Sequence, residues 1–127
     1  MTAAGTSRFV QLAAWFGLLG GPFAWTGMHV VGYGVTEAVC NGSRAGIGIE
    51  PSSWAIPLTI AAGLVTVAAL ATSIVVWQAT RTEPDAPPPP GRVHFVATLG
   101  LLSGVVFLFL VLMEGLGAAV TSGCTQS

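Results

Sequence analysis

The stretch Pro22-Phe23-Ala24-Trp25-Thr26-Gly27-Met28-His29-Val30-Val31-Gly32-Tyr33-Gly34-Val35-Thr36-Glu37-Ala38-Val39-Cys40 sets a histidine within an apolar segment, follows it with a tyrosine and a glutamate, and ends at one of two cysteines. Extended back to Phe9, the run carries no formal charge except Glu37. It reads as a membrane-spanning helix, because a helix needs ~20 mostly apolar residues to cross ~30 Å of hydrocarbon. Two further runs meet the same requirement: Trp54 to Thr80 holds no charge, and Val93 to Val120 holds only His94 and Glu114. The expected fold is an all-α integral membrane protein with three transmembrane helices, over about residues 9–39, 54–80 and 93–120. An outer loop over 41–53 and a Pro-rich linker over 81–92 join them into a single domain, 1–127. No ten-residue alternation suggests a transmembrane barrel.

Composition points the same way. Only 7% of the 127 residues are charged while 53% are hydrophobic, against about a quarter charged in a soluble domain. The four basic residues are all Arg and the net charge is −1, which excludes a nucleic-acid surface and a polybasic lipid-binding segment. A cleaved signal peptide is disfavoured, because no A-x-A-like site follows Phe9 to Leu19 and the apolar run continues. Arg8, Arg81 and Arg92 against Arg44 place the N-terminus and the linker in the cytoplasm and the C-terminus outside. Cys40 and Cys124 then fall on the same, non-cytoplasmic side, where a disulfide between them is expected.

Within the first helix Pro22 leaves the carbonyl of Leu18 without its backbone donor, so a kink is expected there. In lipid that carbonyl needs a partner, which favours packing against another helix. Gly17 with Gly21, and Gly100 with Gly104, have GxxxG spacing, and Ser103 is a further small interface candidate; glycine is common in membrane helices, so spacing alone does not establish contact. The second helix has interfacial Trp54 and Trp77, Pro57 in its first turns, and Thr59, Thr66, Thr72 and Ser73, whose hydroxyls can bond back to their own helix. It reads as scaffold. Residues 81–92, with Pro87 to Pro90 consecutive, read as an extended polyproline II spacer.

Glu114 demands a partner, since an ionisable residue in a membrane helix costs ~2.5–3.5 kcal/mol on insertion scales and faces protein or a cavity rather than lipid. Counting supplies one. His29 lies as far from Phe9 as Glu114 lies from His94, and nearly as far from Cys40 as Glu114 from Cys124, so in parallel helices the two share a depth. An intramembrane polar pair, His29 with Glu114, is expected to fix the packing of helices one and three.

Trp25, His29 and Tyr33 recur every four residues and so share one face, a candidate docking face. Haem ligation by His29 is disfavoured: His94 lies near the opposite end, about 30 Å away along the helix axis, so one chain offers no second histidine at that depth. Haem could enter only with a partner. One His and one Glu are too few ligands for a closed metal site, and no cofactor is expected on this chain alone. No nucleophile elbow, phosphate loop or metalloprotease signature is present, so the chain reads as not an enzyme.

Pro22, Ala24-Trp25, His29, Tyr33 and Cys40, followed by Phe95, Leu99-Gly100-Leu101-Leu102-Ser103, Phe107-Leu108 and Cys124, resemble an uncharacterised family of small three-helix bacterial membrane proteins encoded beside haem-copper cytochrome c oxidase subunits. The resemblance implies a bacterial cytoplasmic (inner) membrane location and a role as non-catalytic accessory subunit or assembly factor of a terminal oxidase, with oxidase subunits as partners. Where that family is expected to carry glutamine in its third helix this chain has Glu114, which leaves open whether the position is polar glue or proton-active. The alternative from the residues is a small proton relay or transport module using Glu114 and His29, with a homo-oligomer left open.

Overall fold

The computed structural model describes residues 7–41 and 51–120, which form α1 (Arg8–Asn41), α2 (Pro51–Thr80) and α3 (Pro90–Val120). Each helix packs on both others. Facing residues give the direction: Gly17 meets Ser73 and Gly32 meets Trp54, so α2 runs antiparallel to α1, while Leu18 meets Ser103 and His29 meets Glu114, so α3 returns parallel to α1. Ser7 caps α1, its Oγ and carbonyl both accepting from Val10 N–H at 3.4 and 2.9 Å. Helices α2 and α3 begin three residues earlier than expected, each on a proline, whose missing N–H would find no partner in a first turn anyway. Pro57 therefore sits a turn deeper in α2 than its sequence reading placed it. Cys124, Arg44 and the two chain ends, on which the disulfide and part of the orientation rest, lie outside the described residues.

The bundle is packed small-side-in. Its buried positions include Ala14, Ala62, Thr66, Ala69, Ser73 and Ala97, while Phe9, Phe23, Leu64, Phe95 and Phe109 are exposed on its outside. From Ser53 to Thr80 and from Pro90 to Val120 the chain is long and apolar enough to cross a membrane. Helix α1 is longer than either, 34 residues, but its glycines, threonines, His29, Tyr33 and Glu37 dilute its apolar character.

Close approach at the centre depends on glycine. A Cβ at Gly17 would strike Ser73 Oγ and come within 3.3 Å of the Ala69 carbonyl; one at Gly100 would strike the same Oγ and come within 3.2 Å of the Gly17 and Leu18 backbone. Gly20 likewise faces Ala69, and Gly104 faces Leu70. Three helices thus converge on one hydroxyl, and small residues at the contact let their backbones approach closely. Thr59, Thr66, Thr72 and Thr80 donate to the carbonyls of Ala55, Ala62, Ala68 and Val76, one turn back. Ser73 departs from this pattern: it is fully buried and its Oγ makes no hydrogen bond.

Pro22 lies inside α1 without ending it. The carbonyl it leaves unpaired, Leu18 O, accepts a hydrogen bond from Ser103 Oγ at 3.2 Å. The partner comes from α3, 85 residues away. Ser103→Ala is expected to destabilise the bundle by about 1 kcal/mol, the scale of an interhelical hydrogen bond in a membrane. In a Pro22→Ala background, where residue 22 again donates to Leu18 O, the same change should be nearly silent. Equal losses in both backgrounds, read by unfolding in mixed micelles, would disprove the link.

The linker does not extend. Residues 81–89 turn back on themselves, with Glu83 N–H donating to Thr80 O at 3.4 Å and Ala86 N–H to Glu83 O at 3.3 Å. A Cβ on Gly91 would strike the Ala86 carbonyl, so the turn packs against the start of α3. The reason is distance: nine residues of polyproline II would reach about 28 Å at ~3.1 Å each, whereas Thr80 and His94 touch at 2.9 Å. Adjacent helix ends overrule the composition.

Candidate functional site

The site is built outward from a glycine. A Cβ at Gly21 would lie 3.1 Å from Phe107 Cβ, so the bare backbone of α1 lets Phe107 of α3 come close. Trp25, one turn on, leans on Phe107 with ring centroids 5.8 Å apart and tilted by 55°. The His29 imidazole stacks on the same indole, at 5.4 Å and 24°. Its Nδ1 then meets Glu114 Oε1 at 3.1 Å, within hydrogen-bond range. The imidazole is fixed on one face by stacking and on one edge by a carboxyl.

The expected pair is together, but it does not lie inside the bundle. His29 is 59% and Glu114 33% exposed, measured on their side chains. The pair sits on the outer rim of the α1–α3 seam, while the neighbouring Met28 and Val111 take the interior positions with Ala62. Apolar residues stand on both the inner face of α1 (Met28) and its outer face (Val30, Val31), so no apolar period shows this rotation. Tyr33, 66% exposed, continues the same outward face. A Cβ at Gly27 or Gly34, also on α1, would meet nothing within 4 Å.

The second histidine is held at the other end. His94 Nδ1 lies 2.9 Å from Thr80 Oγ1, and its ring stacks on Trp77 at 6.0 Å. The single Thr80 hydroxyl proton is taken by the Val76 carbonyl at 2.9 Å, so His94 Nδ1–H is assigned as donor to Thr80. This contact closes α2 onto α3 next to the linker and keeps His94 far from His29. Among the described residues no three His, Cys, Asp or Glu side chains cluster as a metal site. An apolar cleft of about 480 Å³ between α1 and α2, lined by Val31, Val35, Val39, Trp54, Pro57 and Leu58, offers almost no polar surface. The chemistry of the described chain is therefore concentrated at Trp25, His29, Tyr33 and Glu114. Sequence reasoning missed Thr80 as the partner of His94 and Ser73 as the meeting point of the helices; 14 residues and an intervening linker hide the first, and only the helix rotations reveal the second. No protein-family model matches the chain, and neither curated proteins nor solved structures provide a match.

Proposed function

We propose that the chain is a non-catalytic accessory subunit or assembly factor that docks on a larger membrane complex, with a haem-copper terminal oxidase of a bacterial cytoplasmic membrane as the complex that the sequence resemblance names. One observation carries this reading: a hydrogen-bonded His29–Glu114 pair stands on the outside of an otherwise apolar bundle. Polar groups on a lipid-facing surface are unfavourable unless a partner or water covers them. Trp25 and Tyr33 flank the pair on α1, giving a partner apolar area together with a polar handle. The reading includes α1 as a third span, the N-terminus in the cytoplasm, and a Cys40–Cys124 disulfide outside. Two facts support the disulfide: no described cysteine is free, and the chain has two cysteines. Affinity purification from native membrane, with mass spectrometry and an optical spectrum of the eluate, tests the reading. Recovery of oxidase subunits and haem absorbance is expected, and recovery of the chain alone would defeat it.

The relay reading rests on the same pair, because a 3.1 Å acid–imidazole contact open to its surroundings can exchange a proton. Glu114→Gln separates the two functions. It keeps a hydrogen-bonding side chain, so docking should persist with less than a twofold loss of recovered partner, while any proton flux in reconstituted vesicles should fall at least tenfold. Loss of partner with unchanged flux would reverse that assignment.

A further inference from the structure

The end of the bundle away from the His29–Glu114 pair gathers its arginines at one depth. At the centre, Gly17 faces Ser73 and Gly100 lies against the Gly17 backbone. Eight residues from there toward that end, α2 has just ended at Arg81 and α3 has reached Arg92, while α1 has reached Phe9, with Arg8 next. On residue count the three arginines therefore lie within about 1.5 Å of one level. By the same count Trp77 is level with Ala13, and Trp15 lies two residues, about 3 Å, nearer the middle. Both indoles belong to one interfacial belt.

Between α1 and α3 this belt is notched. Trp15 and Arg92 line the notch with Gln11, over a floor of buried Ala14, Val93 and Val96. Its volume of about 10 Å³ takes roughly one oxygen-sized group, so a larger ligand seats one atom there and lies along the outside. Gln11 already has a contact of its own. Among the described residues Arg92 forms no ion pair, and neither Arg92 nor the Trp15 indole N–H makes a hydrogen bond. A guanidinium presents donors that match phosphate oxygens, and the indole adds one more. Beside the notch the exposed surface turns apolar: Arg8, Leu12, Trp15 and Leu19 share a face of α1, and Arg92, Phe95, Leu99 and Leu102 a face of α3. Cation first and hydrocarbon after is the order in which a phospholipid presents phosphate and acyl chains; a free phosphate would use only the first. The acids at this end, Glu83 and Asp85, are exposed on the α2–α3 linker and do not line the notch, and residues 1–6 bear no acidic side chain. Three arginines against two carboxylates leave one net positive charge, which tips the choice from zwitterionic to anionic lipid by about fivefold.

We propose that the α1–α3 notch holds one anionic glycerophospholipid, a phosphate oxygen seated between Arg92 and the Trp15 N–H and the acyl chains along the two apolar faces. The assignment rests on the membrane-spanning reading of α1 and not on docking at His29, so lipid retention by the isolated chain and recovery of a protein partner are separate readouts. The test uses the full chain, delipidated in detergent, with dioleoyl phosphatidylglycerol, dioleoyl phosphatidylcholine or dioleoylglycerol added and retained lipid read by native mass spectrometry. Phosphatidylglycerol should exceed phosphatidylcholine about fivefold, and phosphatidylcholine should exceed dioleoylglycerol, which has the chains without the phosphate, about tenfold. Arg92→Gln should bring phosphatidylcholine down to the level of dioleoylglycerol, and Trp15→Phe should lower it about threefold. Arg81→Gln, which deletes the same charge at the same level but outside the notch, should narrow the preference for phosphatidylglycerol and leave the excess over dioleoylglycerol intact. Equal retention of phosphatidylglycerol and phosphatidylcholine by the unaltered chain would overturn the anionic class, and equal retention of phosphatidylcholine and dioleoylglycerol would overturn the phosphate seat, even if a variant failed to fold. An Arg81→Gln loss matching that of Arg92→Gln would replace the notch with diffuse charge, and displacement of the lipid by millimolar inorganic phosphate would replace it with a free-phosphate site.

Discussion

Gly17→Ala is expected to destabilise the bundle by about 1–3 kcal/mol, the range for overpacking a tight core, and Ser73→Gly to recover most of that loss. The added methyl would run into Ser73 Oγ while lying 3.3 Å from the Ala69 carbonyl and from Ser73 Cβ. Two of those three obstacles belong to the Ser73 side chain, so deleting it opens the space. Gly100→Ala makes the contrast. Its methyl also meets Ser73 Oγ, but the Gly17 and Leu18 backbone atoms at 3.2 Å cannot be removed by any side-chain change. Ser73→Gly should therefore rescue Gly17→Ala more than Gly100→Ala. Unfolding followed by tryptophan fluorescence, as a denaturing detergent is titrated into mild micelles, reads all four variants. Identical rescue of both, or none of either, would show that Ser73 is not the shared point of contact.

His29→Ala is expected to leave that unfolding transition nearly in place while lowering recovered protein partner at least tenfold, which corresponds to about 1.4 kcal/mol of binding. The imidazole is mostly exposed and takes no part in the Gly17–Ser73–Gly100 contact, so its loss removes little from the interior. It removes the fixed polar edge of the proposed docking face and leaves Glu114 without its one described partner. A stability loss as large as that of Gly17→Ala, with partner recovery unchanged, would return the pair to a purely structural role. The two variants divide the seam between holding the bundle and presenting a surface.

Much of this arrangement was legible from residue counts. Equal spacing from the ends of two parallel runs brought His29 level with Glu114, and the removed donor at Pro22 required a partner for Leu18 O from another helix. Which residue supplies it could not be read. Ser103 is 85 positions away, and choosing it over its neighbours requires the register to within one residue. The exposure of the pair was hidden for a related reason: when lipid and protein interior are equally apolar, hydrophobicity does not report which way a helix is turned. The linker misled because composition describes what a free segment prefers, whereas the Thr80–His94 contact sets how far this one may reach.

The hydrogen bond from Ser103 to Leu18 also orders events during synthesis. The first two helices can pair as soon as both are made, since Gly17 and Gly20 already have Ala69 and Ser73 to pack against. Yet Leu18 O and His29 find their partners only on α3, the last helix to emerge. Until then a nascent α1–α2 hairpin lacks the partners of the Leu18 carbonyl and of the His29 imidazole, and arrival of the third helix supplies both in one step.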